Sequence, residues 1–254
     1  MLFGRYTMAG VPLPFSEPFQ YWVGMNTDPA TSASDLVAFN HFYSGTHLPE
    51  VIAANPGFRA ASRYELVAPD ARGDVAPRWL AVYELDSETA VQSYLARNDG
   101  AAEGRPKYTP GPAAWSSFQI RWRMMWRQLA TYGTATQPPC SIFMVGMNVP
   151  PDTDTTGLAE FNAFYTGTHV PEVVGAGGYS RGIRYELYRE LAHPQPGSPR
   201  FCAIYEADEA VTDANERYRA DPSSRPPRPK FSSGPPAWER HEIQWMLVYR
   251  RLAE

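Results

Sequence analysis

Apolar residues recur at two spacings along this chain, and each spacing predicts a different kind of element. A short apolar and aromatic run over 20–25 predicts a buried strand, and turn residues follow from Thr27 to Ser34. From Leu36 the apolar positions step by three and four, which predicts a helix capped by Ser34 or Asp35. The remaining predicted elements are strands at 59–67 and 78–85 with a loop over 70–73, a helix from Ser87 to about Asn98, a proline-rich loop over 104–112, and a final strand over 115–129 whose length would also suit a helix.

Two residues disturb the first predicted helix. Gly45 and Pro49 both lie within it, and a proline ring clashes with the carbonyl four residues earlier and removes one amide donor. We therefore expect a kink or a break near His47.

The whole pattern occurs twice. The segment FNHFYSGTHLPEV starting at Phe39 returns as FNAFYTGTHVPEV starting at Phe161, and ten of the thirteen positions are identical. Shorter matches, such as Arg63-Tyr64-Glu65-Leu66 with Arg184-Tyr185-Glu186-Leu187, extend the duplication along nearly the entire chain. Each copy has the size of one small domain. We expect a first repeat at 1–130, a linker at 131–140 and a second repeat at 141–254.

The order of elements in each repeat, β-α-β-β-α-β, is the ferredoxin-like arrangement of the α+β class. A single open four-stranded sheet would leave one face and two edges uncovered. Two such sheets placed face to face solve that problem by closing a barrel or sandwich around a shared core. The sequence therefore predicts a dimeric α+β barrel made from one polypeptide, present as a monomer or a weak homo-oligomer.

Composition excludes several classes of partner. The chain of 254 residues has a net charge of −4 and no long basic run, so nucleic acid is not an expected partner. No apolar run approaches the roughly 20 residues that span a bilayer, and the segment 1–6 lacks the apolar stretch of a signal peptide. Two cysteines do not make a disulfide framework, which favours a cytoplasmic protein without membrane contact. Neither glycine-rich phosphate-binding pattern occurs, so no nucleotide cofactor is expected.

The duplicated segment carries the candidate chemistry. His47 and His169 could exchange protons near neutral pH, or they could cap loose carbonyls beside the prolines. Tyr43 and Tyr165, four residues earlier, share a helix face with them if the helix persists, and could steady an oxyanion or simply pack. The remaining catalytic candidates are Glu50 and Glu172, which could orient the imidazoles or stand in solvent.

Polar and aromatic residues near these positions are candidates for substrate binding. Asn40 and Asn162 precede the histidines by seven residues, and Asn26 and Asn148 end the first strands on the side of Trp22. Solvent-side or turn amides are the alternative interpretation of all four asparagines. Arg63 with Glu65 and Arg184 with Glu186 are predicted to form structural ion pairs. A His-x-x-Glu pair could bind a metal, but no third ligand stands at a telling spacing, so no metal site is expected.

The pattern Phe42-Tyr43-x-x-x-His47-x-Pro49, present in both repeats, resembles the EthD-like branch of the dimeric α+β barrel superfamily. The resemblance covers roughly 19–129 and 141–252. It implies an enzyme without cofactor that acts on a small aromatic or polyketide-derived compound, with His47 or His169 as acid and base and Tyr43 or Tyr165 beside it. The fusion of two repeats, and a His41 that occurs only in the first repeat, depart from that pattern and leave open whether both pockets work.

We therefore predict a cofactor-independent lyase, isomerase or cyclase that moves protons on a small apolar or aromatic molecule. Two alternatives stay open: a carrier protein that only sequesters a hydrophobic compound, and a cofactor-free monooxygenase. Some barrels of this shape bind heme through histidine, but nothing in the sequence marks a porphyrin site.

Overall fold

The computed structural model describes residues 13–68, 73, 75–99 and 106–252, and its first repeat follows the predicted order of elements. The predicted loops over 70–73 and 104–112 lie partly outside these residues. The strands are β1 (Phe19–Asn26), β2 (Phe58–Ala68), β3 (Trp79–Leu85) and β4 (Gln119–Gly133), and the helices are α1 (Ala33–Phe42), α2 (Leu48–Ala54) and α3 (Glu88–Asp99).

The second repeat has the same order. Its strands are β5 (Ser141–Asn148), β6 (Arg181–Ala192), β7 (Phe201–Ala207) and β8 (Glu242–Arg251). Its helices are α4 (Thr155–Phe164), α5 (Val170–Gly177), α6 (Glu209–Ala220) and the short α7 (Pro236–Glu239). None of the helices in the described ranges is long and apolar enough to span a membrane.

The eight strands close one antiparallel barrel in the order β1-β3-β2-β8-β5-β7-β6-β4. Each repeat contributes a four-stranded ferredoxin-like sheet, and two seams join the sheets, β2 with β8 and β4 with β6. The predicted fold, two tandem ferredoxin-like repeats forming an intramolecular α+β barrel, is therefore confirmed, and of the two arrangements expected the barrel is the one formed.

The barrel packs side chains on both sides of its sheet. All eight strands send side chains such as Trp22, Trp122, Trp245 and Tyr249 into a shared interior core. The outer face of each sheet packs against the helices of its own repeat, which forms two further cores. Packing on both faces explains why β1, β3, β5 and β7 are nearly continuous buried runs, whereas β4 and β8 keep exposed residues on their outer faces.

The first helix of each repeat continues through the position where we expected a kink or break. A π-helical turn at Tyr43–His47 links α1 to α2, and Tyr165–His169 links α4 to α5 in the same way. The wider turn moves the backbone so that Pro49 can follow without ending the helix, and π turns of this kind are frequent at functional sites. The consequence is that Tyr43 and His47 remain on one face.

Two local predictions need adjustment. The helix α1 is capped by Ser32, whose hydroxyl accepts from the Asp35 amide at 3.1 Å, rather than by Ser34 or Asp35. The fourth strand begins at Gln119, because Trp115 lies in a short 3₁₀ turn, Ala113–Ser116, before it. Ser87 does cap α3, accepting from the Ala90 amide.

A chain segment before β1 closes one end of the barrel. The buried Glu84 carboxylate accepts hydrogen bonds from the Phe15, Ser16 and Glu17 amides at 2.9, 2.7 and 3.0 Å. The equivalent carboxylate of the second repeat, Glu206, instead pairs with buried Arg181 at 2.7 Å. Glu84 therefore holds the backbone of the segment before β1, whereas Glu206 holds the side chain of Arg181.

Candidate functional site

The two predicted histidines each stand in a cage of aromatic rings between the π turn and the outer face of the sheet. The centroid of the His169 ring lies 4.4 Å from that of Trp238, 5.1 Å from Phe231 and 5.6 Å from Tyr165. His47 has the corresponding neighbours, with Trp115 at 4.5 Å and Tyr108 and Tyr43 at 5.1 Å. The duplicated sequence therefore builds the same cage twice.

The cages hold neutral imidazoles. Burial lowers the pKa of His47 to about 4 and that of His169 to about 4, so both are uncharged at neutral pH. In both rings Nδ1 is buried and has no hydrogen-bond partner among the described residues. A site of this kind can form one hydrogen bond to a ligand through the other ring nitrogen, Nε2, but it is a weak base.

The glutamates predicted to orient the imidazoles bind a loop instead. Glu50 accepts from the amide of Thr109 at 3.0 Å and from its hydroxyl, and these hydrogen bonds lower the pKa of Glu50. Glu172 accepts from the Ser232 amide at 3.1 Å and the Ser232 hydroxyl at 2.5 Å. Each carboxylate therefore fastens the proline-rich loop that carries Tyr108 or Phe231 over its histidine.

Tyr43 and Tyr165 do line the pockets beside their histidines. Both are buried, and burial raises the pKa of each phenol, so both stay protonated. Behind each ring lies a guanidinium group, with the Cζ atoms of Arg63 and Arg184 at 4.2 Å from the Tyr43 and Tyr165 centroids. These tyrosines form a fixed wall of the pocket.

The arginines show why the predicted ion pairs are wrong. Arg63 donates to the carbonyl of Asn40 at 3.1 Å and to its side-chain oxygen at 2.8 Å, and Arg184 binds Asn162 at the same two distances. Both guanidinium groups thus reach across to the first helix of their repeat. Glu65 pairs with Arg78, and Glu186 pairs with Arg127 and Arg200. The Asn40 and Asn162 side chains, predicted to bind substrate, hold these arginines.

The other predicted binding residues lie outside the histidine cages. The side-chain oxygen of Asn26 accepts from the Arg78 amide at 2.6 Å, and that of Asn148 accepts from the Arg200 amide at 2.7 Å. Both therefore join the end of one strand to the start of its neighbour. Trp22 is fully buried in the barrel interior, on the opposite face of β1 from the residues that line the His47 pocket. Asn26 borders a separate polar cleft of about 500 Å³.

The two cavities differ in size. The cavity at His169 has a volume of about 550 Å³, and the cavity at His47 about 270 Å³. Phe231 and Met246, which line the larger one, are 41% and 37% exposed. The register of the sheets pairs Arg123 with Val23 and Met246 with Val145, so Arg123 is the first-repeat counterpart of Met246. Arg123 and Tyr21 replace Met246 and Phe143 in the smaller cavity.

Several pocket residues were not predicted. The indoles of Trp115 and Trp238 contact the imidazoles more closely than any other ring does, and His241 stacks on Trp238 with centroids 4.5 Å apart. The tryptophans could have been found from their recurrence after Gly111 and Gly234. His241 has Phe118 at its position in the first repeat, so no repetition signals it.

Within the described ranges, no three His, Cys, Asp or Glu side chains converge as metal ligands would. Both cysteines are free thiols.

No protein-family model matches the sequence, and no curated protein matches it. Solved structures match the fold. A crystal structure provisionally named a chlorite dismutase shares 12% identity with a TM-score of 0.50, covering 92% of this chain and 94% of that one. The chlorite dismutase of Candidatus Nitrospira defluvii in complex with imidazole shares 8% identity with a TM-score of 0.49; 92% of this chain and 91% of that one are covered. For a dye-decolorizing protein from V. cholerae the values are 10% identity, TM-score 0.45 and 95% of each chain.

The first of these structures, with a TM-score of 0.50, agrees with the α+β barrel fold seen here. It is named as a chlorite dismutase and not as a lyase, isomerase or cyclase, which contradicts the predicted function. The prediction of a cofactor-independent lyase, isomerase or cyclase is therefore wrong. The geometry of the two cages also argues against this prediction. Glu50 and Glu172 bind the loops rather than the imidazoles, and both imidazoles are weak bases.

The residues around His169 do not fit heme either. A histidine that binds a metal almost always donates its second ring N–H to an acceptor, which fixes the ring and raises its basicity. Nδ1 of His169 is buried without such an acceptor among the described residues. Of the described residues that line this cavity, Arg228 alone carries a permanent charge that could meet the two carboxylates of a porphyrin. We assign no reaction step to heme.

Proposed function

We propose that the second repeat binds a small, uncharged aromatic or apolar molecule in the His169 cavity, and that this cavity is the substrate site of an enzyme. The observation that carries the proposal is a cavity of about 550 Å³ with a mainly apolar and aromatic lining, whose polar groups include the neutral His169 imidazole, His241 and Arg228. Its volume lies within the range of roughly 300–1,000 Å³ that small-molecule sites occupy.

The lining supports an aromatic or aliphatic ligand. Phe143, Val145 and Met147 from β5 form the floor on the sheet side, and Phe231 covers the cavity from the loop. The partial exposure of Phe231 and Met246 leaves apolar surface in contact with water. A bound apolar molecule would remove that surface from water, which stabilises the complex by roughly 25 cal/mol per Å² buried.

One polar contact would orient the ligand. Because Nδ1 of His169 is buried, Nε2 is the ring nitrogen open to a ligand. A neutral imidazole can donate or accept a hydrogen bond there, which suits a hydroxyl or carbonyl group. We assign His169 to binding rather than to proton abstraction, because a base whose pKa is about 4 accepts protons poorly.

Two further likenesses support the proposal. The His-x-Pro pattern resembles EthD-like proteins, whose compounds are small and often aromatic. The solved structures that share the fold are those of enzymes.

The experiment is a calorimetric titration with 1-naphthol, an uncharged aromatic hydroxyl compound. We expect saturable binding at one site. In His169→Phe, which keeps the cage filled but removes the hydrogen bond, the affinity should fall about tenfold, as expected for one lost hydrogen bond of roughly 1.4 kcal/mol. The matched variant His47→Phe should bind 1-naphthol like the native protein. Absence of saturable binding, or an equal loss in both variants, would overturn the proposal.

A further inference from the structure

The first-repeat cavity differs from the second in chemistry as well as in size. Arg123 and Tyr21 stand where the second repeat has Met246 and Phe143. Tyr94, the seventh residue of the twelve-residue helix α3, corresponds to Asn215 in α6. Three polar side chains therefore enter a cavity of about 270 Å³ whose counterpart is mainly apolar.

Arg123 has phenols as its partners. Its Nε donates to the Tyr21 hydroxyl at 2.7 Å, and its guanidinium is also within hydrogen-bonding reach of Tyr94. Burial raises the pKa of both phenols, so both are neutral at pH 7. No carboxylate pairs with Arg123 in the part of the chain that the structure describes. A half-buried cation without a counter-charge is costly, and its cost falls when an anion binds beside it.

The surrounding groups suit one aromatic ring that carries a carboxylate. Guanidinium is the side chain that best matches carboxylate geometry, since it can donate two parallel hydrogen bonds. The Tyr21 and Tyr94 hydroxyls lie within hydrogen-bonding reach of each other and of Arg123, so one of the two phenolic hydrogens remains to donate to the same anion. Trp115, Tyr108 and His47 provide ring surfaces on the other side of the cavity.

We infer that the first-repeat cavity binds a small aromatic carboxylate, with Arg123 and Tyr21 on the carboxylate and the caged rings around His47 on the aromatic face. The first repeat then recognises an anionic ligand, whereas the second recognises an uncharged one. This site is separate from the one proposed in the second repeat, and either assignment can fail without the other.

The probes are benzoate and its uncharged analogue benzamide, each titrated calorimetrically into the full chain. The native protein should bind benzoate at least ten times more tightly than benzamide. Arg123→Met, which gives the first repeat the residue of the second, should lower benzoate affinity at least tenfold and leave benzamide affinity unchanged. 1-Naphthol binding should not change in this variant, which shows that the second cavity is intact.

If Arg123→Met folds poorly, the native comparison still tests the inference when it is combined with unchanged benzoate binding in His169→Phe. Equal affinity for benzoate and benzamide, or no binding of either, would overturn the inference. So would a loss of benzoate binding in His169→Phe instead of Arg123→Met, because benzoate would then occupy the second cavity. Tyr21→Phe, which restores the second-repeat residue at that position, should weaken benzoate binding by a smaller factor.

Discussion

The guanidinium Cζ atom of Arg63 lies 4.2 Å from the centroid of the Tyr43 ring, one of the rings that line the His47 cavity. The same group donates to the Asn40 carbonyl, at the point where α1 passes into the π turn. Arg63 therefore supports the helix and the pocket wall together. Burial lowers its pKa to about 10, which leaves it charged at neutral pH.

Removing the equivalent arginine of the second repeat tests this support. Arg184 is 1% exposed and donates to Asn162 and to the Thr166 hydroxyl. Arg184→Met should lower the free energy of unfolding by about 2–4 kcal/mol, because it removes the hydrogen bonds of a buried cation to the half-buried Asn162 side chain and Thr166 hydroxyl. Urea denaturation measures the change.

The matched control is Arg200→Met, which breaks an exposed pair with Glu186. Exposed pairs contribute roughly 0–1 kcal/mol, so this variant should unfold nearly like the native protein. Similar losses in both variants would show that Arg184 does not support the helix.

The caged histidines should make stability depend on pH. Their pKa values are lowered to about 4 in the folded state from an ordinary 6.5, so unfolding takes up protons between these values. The free energy of unfolding should thus fall as the pH drops from about 6.5 towards 4, and the contribution should be constant above 6.5. Urea denaturation at pH 7 and pH 5 measures this difference.

The double variant His47→Phe/His169→Phe should lose less stability over the same interval, because its folded and unfolded states no longer differ at these two positions. His41→Gln, which changes an exposed histidine, should behave like the native protein. If the double variant shows the full native pH dependence, the imidazoles are not held neutral by burial.

The sequence predicted the barrel but not the partners of its charged residues. The duplication and the strand-helix order were enough for the fold, because two identical open sheets have few ways to cover their edges. Glu50 was expected at the imidazole because it follows His47 by three residues, yet it binds Thr109, 59 residues away in the chain. A contact between residues so far apart in the chain leaves no regular spacing in the sequence from which it could be predicted.

Strand faces were ambiguous for a related reason. Tyr21 and Trp22 are neighbours in β1 and both are buried, one under the helices and one inside the barrel. In an open sheet, alternation of apolar and polar residues would have shown which side faces the site. When both faces are apolar, period two carries no such information, and Trp22 was assigned to the wrong side.

The buried pair of Arg181 with Glu206 should be sensitive to the loss of one partner. The Glu206 side chain is fully buried and receives two hydrogen bonds from Arg181, at 2.8 and 2.7 Å. Arg181→Ala would leave that carboxylate without its partner, and the expected loss is about 3–5 kcal/mol of unfolding free energy. Thermal or urea unfolding measures it.

Two further variants test whether the unpaired buried charge causes that loss of stability. Arg127→Ala removes a half-exposed partner of Glu186 and should cost under about 1 kcal/mol. Arg181→Met combined with Glu206→Leu should recover part of the loss, because no unpaired charge remains buried. A double variant less stable than Arg181→Ala would argue against the unpaired charge as the cause.

Each proline-rich loop is fastened by one helix carboxylate, Glu50 or Glu172, and each carboxylate should control the opening of its own loop only. Glu172→Ala removes the acceptor of the Ser232 amide, so hydrogen exchange at Ser232 should become faster, and 1-naphthol should dissociate faster. Glu50→Ala should accelerate exchange at Thr109 and leave Ser232 unchanged. Exchange measured by mass spectrometry that stays at the native rate in Glu172→Ala would show that other contacts hold the loop.

Joining the two repeats in one polypeptide removes a constraint that a homodimer would impose. In a dimer of identical single-repeat subunits, every substitution alters both cages at once, so the cages must remain the same. Here Arg123 could arise without altering Met246, and His241 without altering Phe118. The seams β2 with β8 and β4 with β6 keep the symmetric architecture. The two halves are therefore free to evolve different ligand preferences within one barrel.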